Sequence, residues 1–180
     1  MTLRFPRLPP STGAEDEGTD LRAPLTSGHA PANHEAMDEH AVLVFRAQAF
    51  LDHDGFENKI YKVHVELRKQ GDSIVFDYTG SDDQAPGFIN STRTGLLAGG
   101  YAGILPIIAY DLPWNDGLFR PLEILSREGS VVACKFPAPC SQGPLGAMWL
   151  VEVTTTEVMS KLMASHPDYV REGQAAPAGG

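Results

Sequence analysis

The clearest pattern along the chain is a strict alternation of apolar and polar side chains over residues 61–68. A period of two is typical of a strand with one buried face, and residues 73–79 repeat it after a turn at Gly71. The pattern predicts an antiparallel hairpin over residues 61–79. Seven side chains are predicted on its buried face: Tyr61, Val63, Val65, Leu67, Ile74, Phe76 and Tyr78.

Two longer segments are predicted to be helices. Residues 91–110 begin with a Ser-Thr pair that can cap a helix, and Pro106 is expected to kink or end it. Glycines recur at every fourth position of this segment, on one helical face where another backbone can approach closely: Gly95, Gly99 and Gly103. A second helix is predicted from Pro144, which suits a first turn, to Ser165.

Shorter apolar runs predict further strands. Residues 41–45 are uniformly apolar and predict a buried strand, preceded by a short helix at 33–39. Residues 121–125 and 130–136 are predicted to be strands around a turn that contains Gly129.

The elements together predict a mixed α/β (α+β) fold, in which the hairpin and further short strands pack with two helices. We divide the chain into residues 1–50, residues 51–166 and a disordered tail at 167–180. We expect the middle part to be an incomplete fragment of a larger domain.

Charge and composition exclude some classes of partner. The 180 residues carry a net charge of −9, which argues against binding nucleic acid or an anionic membrane surface. The longest apolar run, residues 96–110, is too short to span a bilayer, and the N-terminus lacks the apolar core of a signal peptide. We therefore expect a cytoplasmic protein, in which Cys134 and Cys140 are ordinary reduced thiols.

Three loop motifs resemble those of the hydantoinase B/oxoprolinase family, in the family's order and over about residues 52–173. They read DYTGSDDQAPGFIN at 77–90, PWNDGLFRP at 113–121, and EGS followed by PAP at 128–130 and 137–139. The PAP motif and the GPLG at 143–146 are similar to the branch of acetone and acetophenone carboxylases.

This resemblance implies ATP-dependent hydrolysis of cyclic amides such as hydantoins and 5-oxoproline, or ATP-dependent carboxylation of ketones. It implies that a hydantoinase A-type companion subunit uses the ATP, and that a divalent metal binds in a family region preceding the piece seen here. We therefore expect no cofactor or metal in this chain and no activity by the chain alone. The alternative is a subunit-interaction module without catalysis.

Residues 12–46 are instead similar to the N-terminus of taurine-dioxygenase-type iron and 2-oxoglutarate enzymes, which makes a dioxygenase remnant a further alternative. Iron chemistry of that kind needs two histidines and one carboxylate. The one His-x-Asp, from His166 to Asp168, has no histidine after it to complete the set. We therefore reject iron chemistry for this chain.

Five polar residues at matched motif positions are the candidate site: Asp77, Ser81, Asn90, Asn115 and Arg120. In a catalytic interpretation, the amides and the guanidinium orient a carboxylate or a phosphorylated intermediate, since arginine binds such groups bidentately. In a structural interpretation, Asp77 and Asn90 brace turns and Arg120 pairs with Glu123 or Asp116. We favour the structural interpretation.

Overall fold

The computed structural model describes residues 14–15, 42–169 and 171. It contains a mixed sheet in the order β1-β2-β3-β4-β5, in which β2, β3 and β4 are antiparallel. The two edge strands, β1 and β5, run parallel to their neighbours β2 and β4. The strands are β1 Ala14–Glu15, β2 Val42–Leu51, β3 Tyr61–Gln70, β4 Ser73–Asp77 and β5 Leu122–Leu125.

The predicted hairpin is confirmed as β3 and β4. Gly71 takes a φ of 52° in the turn, a conformation that glycine adopts without a steric penalty. Six of the seven side chains predicted on the inner face are buried, and Ile74 is half-buried. The alternation therefore located both the strands and their buried face.

Strand β2 is longer than the predicted strand at 41–45. It pairs with β3 along its whole length, from Val42 opposite Gln70 to Leu51 opposite Tyr61. The polar residues after Phe45 do not end the strand, because Arg46 lies on the outer face and pairs with Glu66 at 2.8 Å. The division placed near residue 50 falls inside this strand, and the predicted helix at 33–39 lies outside the described residues.

Helix α1, Arg93–Ile108, confirms the helix predicted over 91–110. The Thr92 side chain caps it by accepting a hydrogen bond of 3.1 Å from the Gly95 backbone N–H. Pro106 lies inside the last turn, and the helix ends at Ile108. A one-turn helix, α2, at Asp116–Phe119 was not predicted.

Helix α3, Ala147–Ala164, follows a 3-10 turn at Gly143–Leu145 and confirms the second predicted helix. Its β-branched middle is compatible with a helix, because threonine hydroxyls donate to carbonyls one turn earlier. Thr155 donates to Val151 O at 2.6 Å, for example. Another 3-10 turn, Pro167–Tyr169, falls in the segment predicted to be a disordered tail, and most of the rest of that segment lies outside the described residues.

The prediction of a strand at residues 130–136 is wrong. Residues 130 and 133 bridge to each other in a tight turn, and β5 pairs with β4 instead. The backbone groups of this segment bond to a distant loop: Ser91 N–H donates to Val131 O at 2.8 Å, and Cys134 N–H donates to Ser91 O at 2.9 Å. The apolar run is nonetheless buried, since Val131 and Val132 lie in the core.

Helix α3 packs on β2 and β3 and also against α1, so the helices form a second layer over one face of the sheet. The α1 face that meets α3 is the predicted glycine face. A Cβ atom at Gly99 would lie 2.7 Å from Met148 O, and one at Gly103 would lie 2.8 Å from Glu152 O. The mixed α/β fold is thus confirmed, and the glycine groove is filled by α3.

Candidate functional site

Asp77 ends β4 on the outer face of the sheet, within a row of charged side chains. Its carboxylate pairs with Arg68 at 3.1 Å, while its other oxygen accepts from the Thr79 N–H at 2.9 Å and the Thr79 hydroxyl at 2.6 Å. Glu66, on the neighbouring strand, lies between Arg68 and Arg46. These contacts hold the turn after β4 in place.

Ser81 is buried and bonds to the backbone of β3 at His64, beyond the residues of β3 that pair with β4. Its hydroxyl accepts from His64 N–H at 3.0 Å and lies 3.2 Å from His64 O, to which it donates. Arg127 donates to Ser81 O at 3.1 Å. Ser81 therefore continues the pairing along β3 in place of a strand.

Asn90 is 1% exposed and joins two loops through its side-chain amide. Its Oδ1 accepts from Ala85 N–H at 2.7 Å. Its Nδ2 lies 2.9 Å from each of three carbonyl oxygens, those of Ala85, Gly87 and Pro139. An amide nitrogen has two protons, so no donor remains for a ligand.

Asn115 and Arg120 flank α2 on the exposed surface. Asn115 caps the helix by accepting from Gly117 N–H at 2.8 Å, and it donates to Pro113 O at 2.9 Å. The Arg120 side chain has no hydrogen bond or ion pair with any residue that the structure describes, so the pairing with Glu123 or Asp116 is not formed. Within the described part of the chain, Arg120 is therefore the one candidate whose side-chain donors all remain available to a ligand.

The structure does not gather the five candidates into one cluster, since no hydrogen bond or ion pair joins any two of them within residues 42–169. It does place the first and third motifs against each other. Gln84, Ala85 and Pro86 form one wall of a cleft of about 430 Å³, and residues 137–139 form the other. Asn90 bonds to Ala85 on one wall and to Pro139 on the other.

A second cleft, of about 460 Å³, lies beside the start of α1 and β5. Its lining includes Arg93, whose guanidinium donates to Ile124 O at 2.6 Å, and the thiol-bearing residue Cys134. None of the five candidates lines this cleft.

Sequence reasoning missed Asp54, a carboxylate with no exposed surface. Its Oδ1 accepts from Phe56 N–H at 2.9 Å and Glu57 N–H at 2.8 Å, and its Oδ2 accepts from Gly87 N–H at 2.7 Å. The pKa of this carboxyl is lowered, and the largest cause is the hydrogen bond from the Glu57 N–H. Burial acts in the opposite direction, and the hydrogen bonds from Phe56 and Gly87 lower the pKa further. The Asp-Gly pair at 54–55 is a turn signal that could have identified it.

Tyr61 lies near Asp54 and is 1% exposed. Its hydroxyl has no hydrogen-bond partner among the described residues. Burial, and then the negative charges of Asp54 and Glu57, raise the pKa of this phenol.

Within the described residues, no group of three or more histidine, cysteine or acidic side chains is arranged to hold a metal ion. No helix in the same part of the chain is long and apolar enough to cross a membrane.

A sequence model of the hydantoinase B/oxoprolinase family matches residues 31–178. The chain belongs to the hydantoinase B/oxoprolinase family. The match overlaps residues 31–46, and these comparisons give no support to the resemblance of residues 12–46 to taurine-dioxygenase-type enzymes.

Two relatives show how much of a longer protein this chain spans. An uncharacterized protein of Methanocaldococcus jannaschii is 29% identical over 93 residues, which are 52% of this chain and 16% of the relative. The crystal structure of ATP-dependent caprolactamase from Pseudomonas jessenii matches with a TM-score of 0.60 and 21% identity. That match covers 70% of this chain and 21% of the caprolactamase chain, and it shows a shared fold.

Proposed function

We propose that this chain is the scaffold region of a B-type subunit in an enzyme that hydrolyses a cyclic amide at the expense of ATP. The observation that carries the proposal is the bonding of Asn90, which joins two family motifs across the cleft between residues 84–86 and 137–139. A buried amide with every donor satisfied fixes the positions of both walls. The family motifs thereby serve to shape a surface.

The other motif residues support this role. Asp77 and Ser81 bond to neighbouring strands and turns, and Asn115 caps α2, so these polar groups act within the fold. Arg120 is the exception, since it is exposed and makes no ion pair with the described residues. A guanidinium in that position can bind a carboxylate or a phosphoryl group bidentately, and we propose it as the ligand-facing member of the set.

The family and the name of its structural relative support the proposed reaction class. Caprolactamase acts on a lactam with ATP, and a lactam, a hydantoin and 5-oxoproline all contain a ring amide. We propose that ATP is used by a hydantoinase A-type companion subunit in the cytoplasm. The residues described here do not fit a divalent-metal site, and no step is assigned to a metal.

Ketone carboxylation is the second candidate. The observation in its favour is the PAP motif at 137–139 followed by GPLG at 143–146, which is similar to the carboxylase branch. A third role, binding a companion subunit without catalysis, predicts complex formation with no turnover of either substrate class.

One assay distinguishes the three roles. The chain is purified alone and together with the A-type companion and the other proteins encoded beside it, and ADP and organic product are measured. Substrates are caprolactam, hydantoin and 5-oxoproline, and acetone with bicarbonate. The proposal expects ring opening in the assembled sample, and carboxylation of acetone instead would favour the second candidate. Assembly without any turnover would favour the third.

An Arg120 series tests the ligand-facing residue in the same assembled enzyme. Arg120→Ala is expected to raise KM or lower kcat with no change in Tm, because the exposed side chain makes no hydrogen bond or ion pair with the described part of the fold. Arg120→Lys retains the charge but not the planar fork and should recover part of the activity. An Arg120→Ala enzyme with unaltered kinetics would contradict this assignment.

A further inference from the structure

The two cysteines, which the sequence presents as unrelated, are in contact. Cys134 Sγ lies 3.1 Å from Cys140 Sγ, and both thiols are free and half-buried. The sulfurs of a disulfide are about 2.0 Å apart, so a small movement of the loop would bring them to bonding distance.

The backbone on both sides of the contact is held in place. Cys134 N–H donates to Ser91 O at 2.9 Å, at the start of α1. At the other end, Pro139 O accepts from the buried Asn90 side chain at 2.9 Å. The fold therefore holds the ends of the loop at 134–140 together, rather than leaving the thiols to meet by chance.

One member of the pair lies in a cleft that a small reagent can enter. Cys134 lines the cleft of about 460 Å³ that opens beside Arg93 and Ser126. Phe136, between the two cysteines, is 98% exposed, so the intervening loop lies at the surface.

We propose that Cys134 and Cys140 are a redox modification site, at which exchange with a low-molecular-weight disulfide such as oxidised glutathione forms a reversible intramolecular disulfide. The thiolate of one cysteine attacks one sulfur of the reagent and expels a first glutathione thiolate. The sulfur of the other cysteine then attacks the protein sulfur of this mixed disulfide and expels the second. Two protein thiols are oxidised, one glutathione disulfide is reduced to two thiols, and the two cysteine protons pass to the leaving thiolates.

Burial, followed by the hydrogen bond from Cys140 and the charge of Cys140, raises the pKa of Cys134 to about 11. Thiolate is the attacking species in exchange, so disulfide formation should become faster as pH rises.

The disulfide would close a ring around residues 135–139, three of which form one wall of the cleft between the first and third motifs. A covalent ring of this size restricts the unfolded chain and fixes that wall. Oxidation should therefore raise Tm by about 5 °C in a chain of this size.

The test measures disulfide formation in the full chain equilibrated with reduced and oxidised glutathione. Intact mass should fall by two hydrogens in the monomer, and both thiols should become unreactive to a thiol reagent in denaturant. Two cysteines this close in sequence can also pair in an unfolded chain, so the same titration is run in guanidinium chloride. The folded chain is expected to show an effective thiol concentration at least about tenfold higher.

Two single variants, Cys134→Ser and Cys140→Ser, prevent ring closure. Each should stop at a mixed disulfide between glutathione and the remaining cysteine. An equal or lower effective concentration in the folded chain, glutathione adducts on both cysteines, or disulfide-linked dimers would overturn the proposal.

Discussion

Replacing Gly99 with leucine should lower the free energy of unfolding, because α1 and α3 are in contact at this residue. A Cβ atom at position 99 would lie 2.7 Å from Met148 O and 3.2 Å from Val151 Cγ1. The first contact is with a backbone atom inside a helix, which cannot rotate away as a side chain can. The remaining leucine atoms would have to separate the two helices.

The magnitude follows from two opposing terms. Overpacking a tight contact costs about 1–3 kcal/mol or more, and removing a glycine from a helix returns about 1 kcal/mol. With the upper end of the first range, the net loss in the free energy of unfolding is about 2 kcal/mol. In a chain of this size that lowers Tm by about 4–8 °C.

The matched control is Gly95→Ala on the same face of α1. A Cβ atom there would meet the Ser91 hydroxyl, which is a side-chain atom that can rotate. This variant should leave Tm unchanged or raise it, because it gains helix propensity without opposing a backbone. Both are measured by urea and thermal unfolding followed by circular dichroism. A Tm for Gly99→Leu equal to or above that of the parent would refute the close contact between α1 and α3.

Three further changes test other parts of the structure. Asn90→Ala should lower the free energy of unfolding by about 3 kcal/mol, since the side-chain amide makes three hydrogen bonds at a time, one through Oδ1 and two through Nδ2, at about 1 kcal/mol each. A loss below about 1 kcal/mol in urea unfolding would contradict this. Asp54→Asn should destabilise the chain most at neutral pH. Because the pKa of Asp54 is lowered in the folded chain, the stability that its carboxylate contributes is fully present above the unfolded pKa of 3.8 and is lost as pH falls through the folded pKa. Urea unfolding at neutral and acidic pH should therefore show a difference from the parent that shrinks in acid, and a pH-independent difference would argue against it. Tyr78→Phe should cost about 1 kcal/mol, because its hydroxyl bonds to Val151 O at 3.2 Å and to Thr155 inside the core; unfolding data showing no loss would contradict it.

The regular elements could be predicted where one local period dominates. The hairpin at 61–79 alternates without interruption, and the fourfold spacing of Gly99 and Gly103 located the close helix contact before its partner was known. In both cases neighbouring residues in the sequence carry the signal.

The errors arose where distant segments decide the structure. Residues 130–136 are apolar enough for a strand, but their backbone groups bond to Ser91, some forty residues earlier. Strand β2 continues through Arg46 because β3 supplies Glu66 opposite it. Neither partner can be read from the local pattern.

The candidate site shows the same division. Motif positions identified Asn90 and Ser81 as special, but the carbonyls and strands that they bond to became visible in three dimensions. Asp54 bonds to Gly87 across 33 residues, and the contact between Cys134 and Cys140 depends on how the intervening loop folds back. Spacing alone could not distinguish these arrangements from exposed polar side chains or isolated thiols.

The most direct test of the proposed function is ATP-dependent turnover of a cyclic amide by the chain alone and by the chain assembled with the proposed hydantoinase A-type companion. We expect ADP and ring-opened product in the assembled sample and neither from the chain alone in metal-supplemented buffer. Ring opening by the purified chain, or an assembled sample that leaves caprolactam, hydantoin and 5-oxoproline intact, would contradict it.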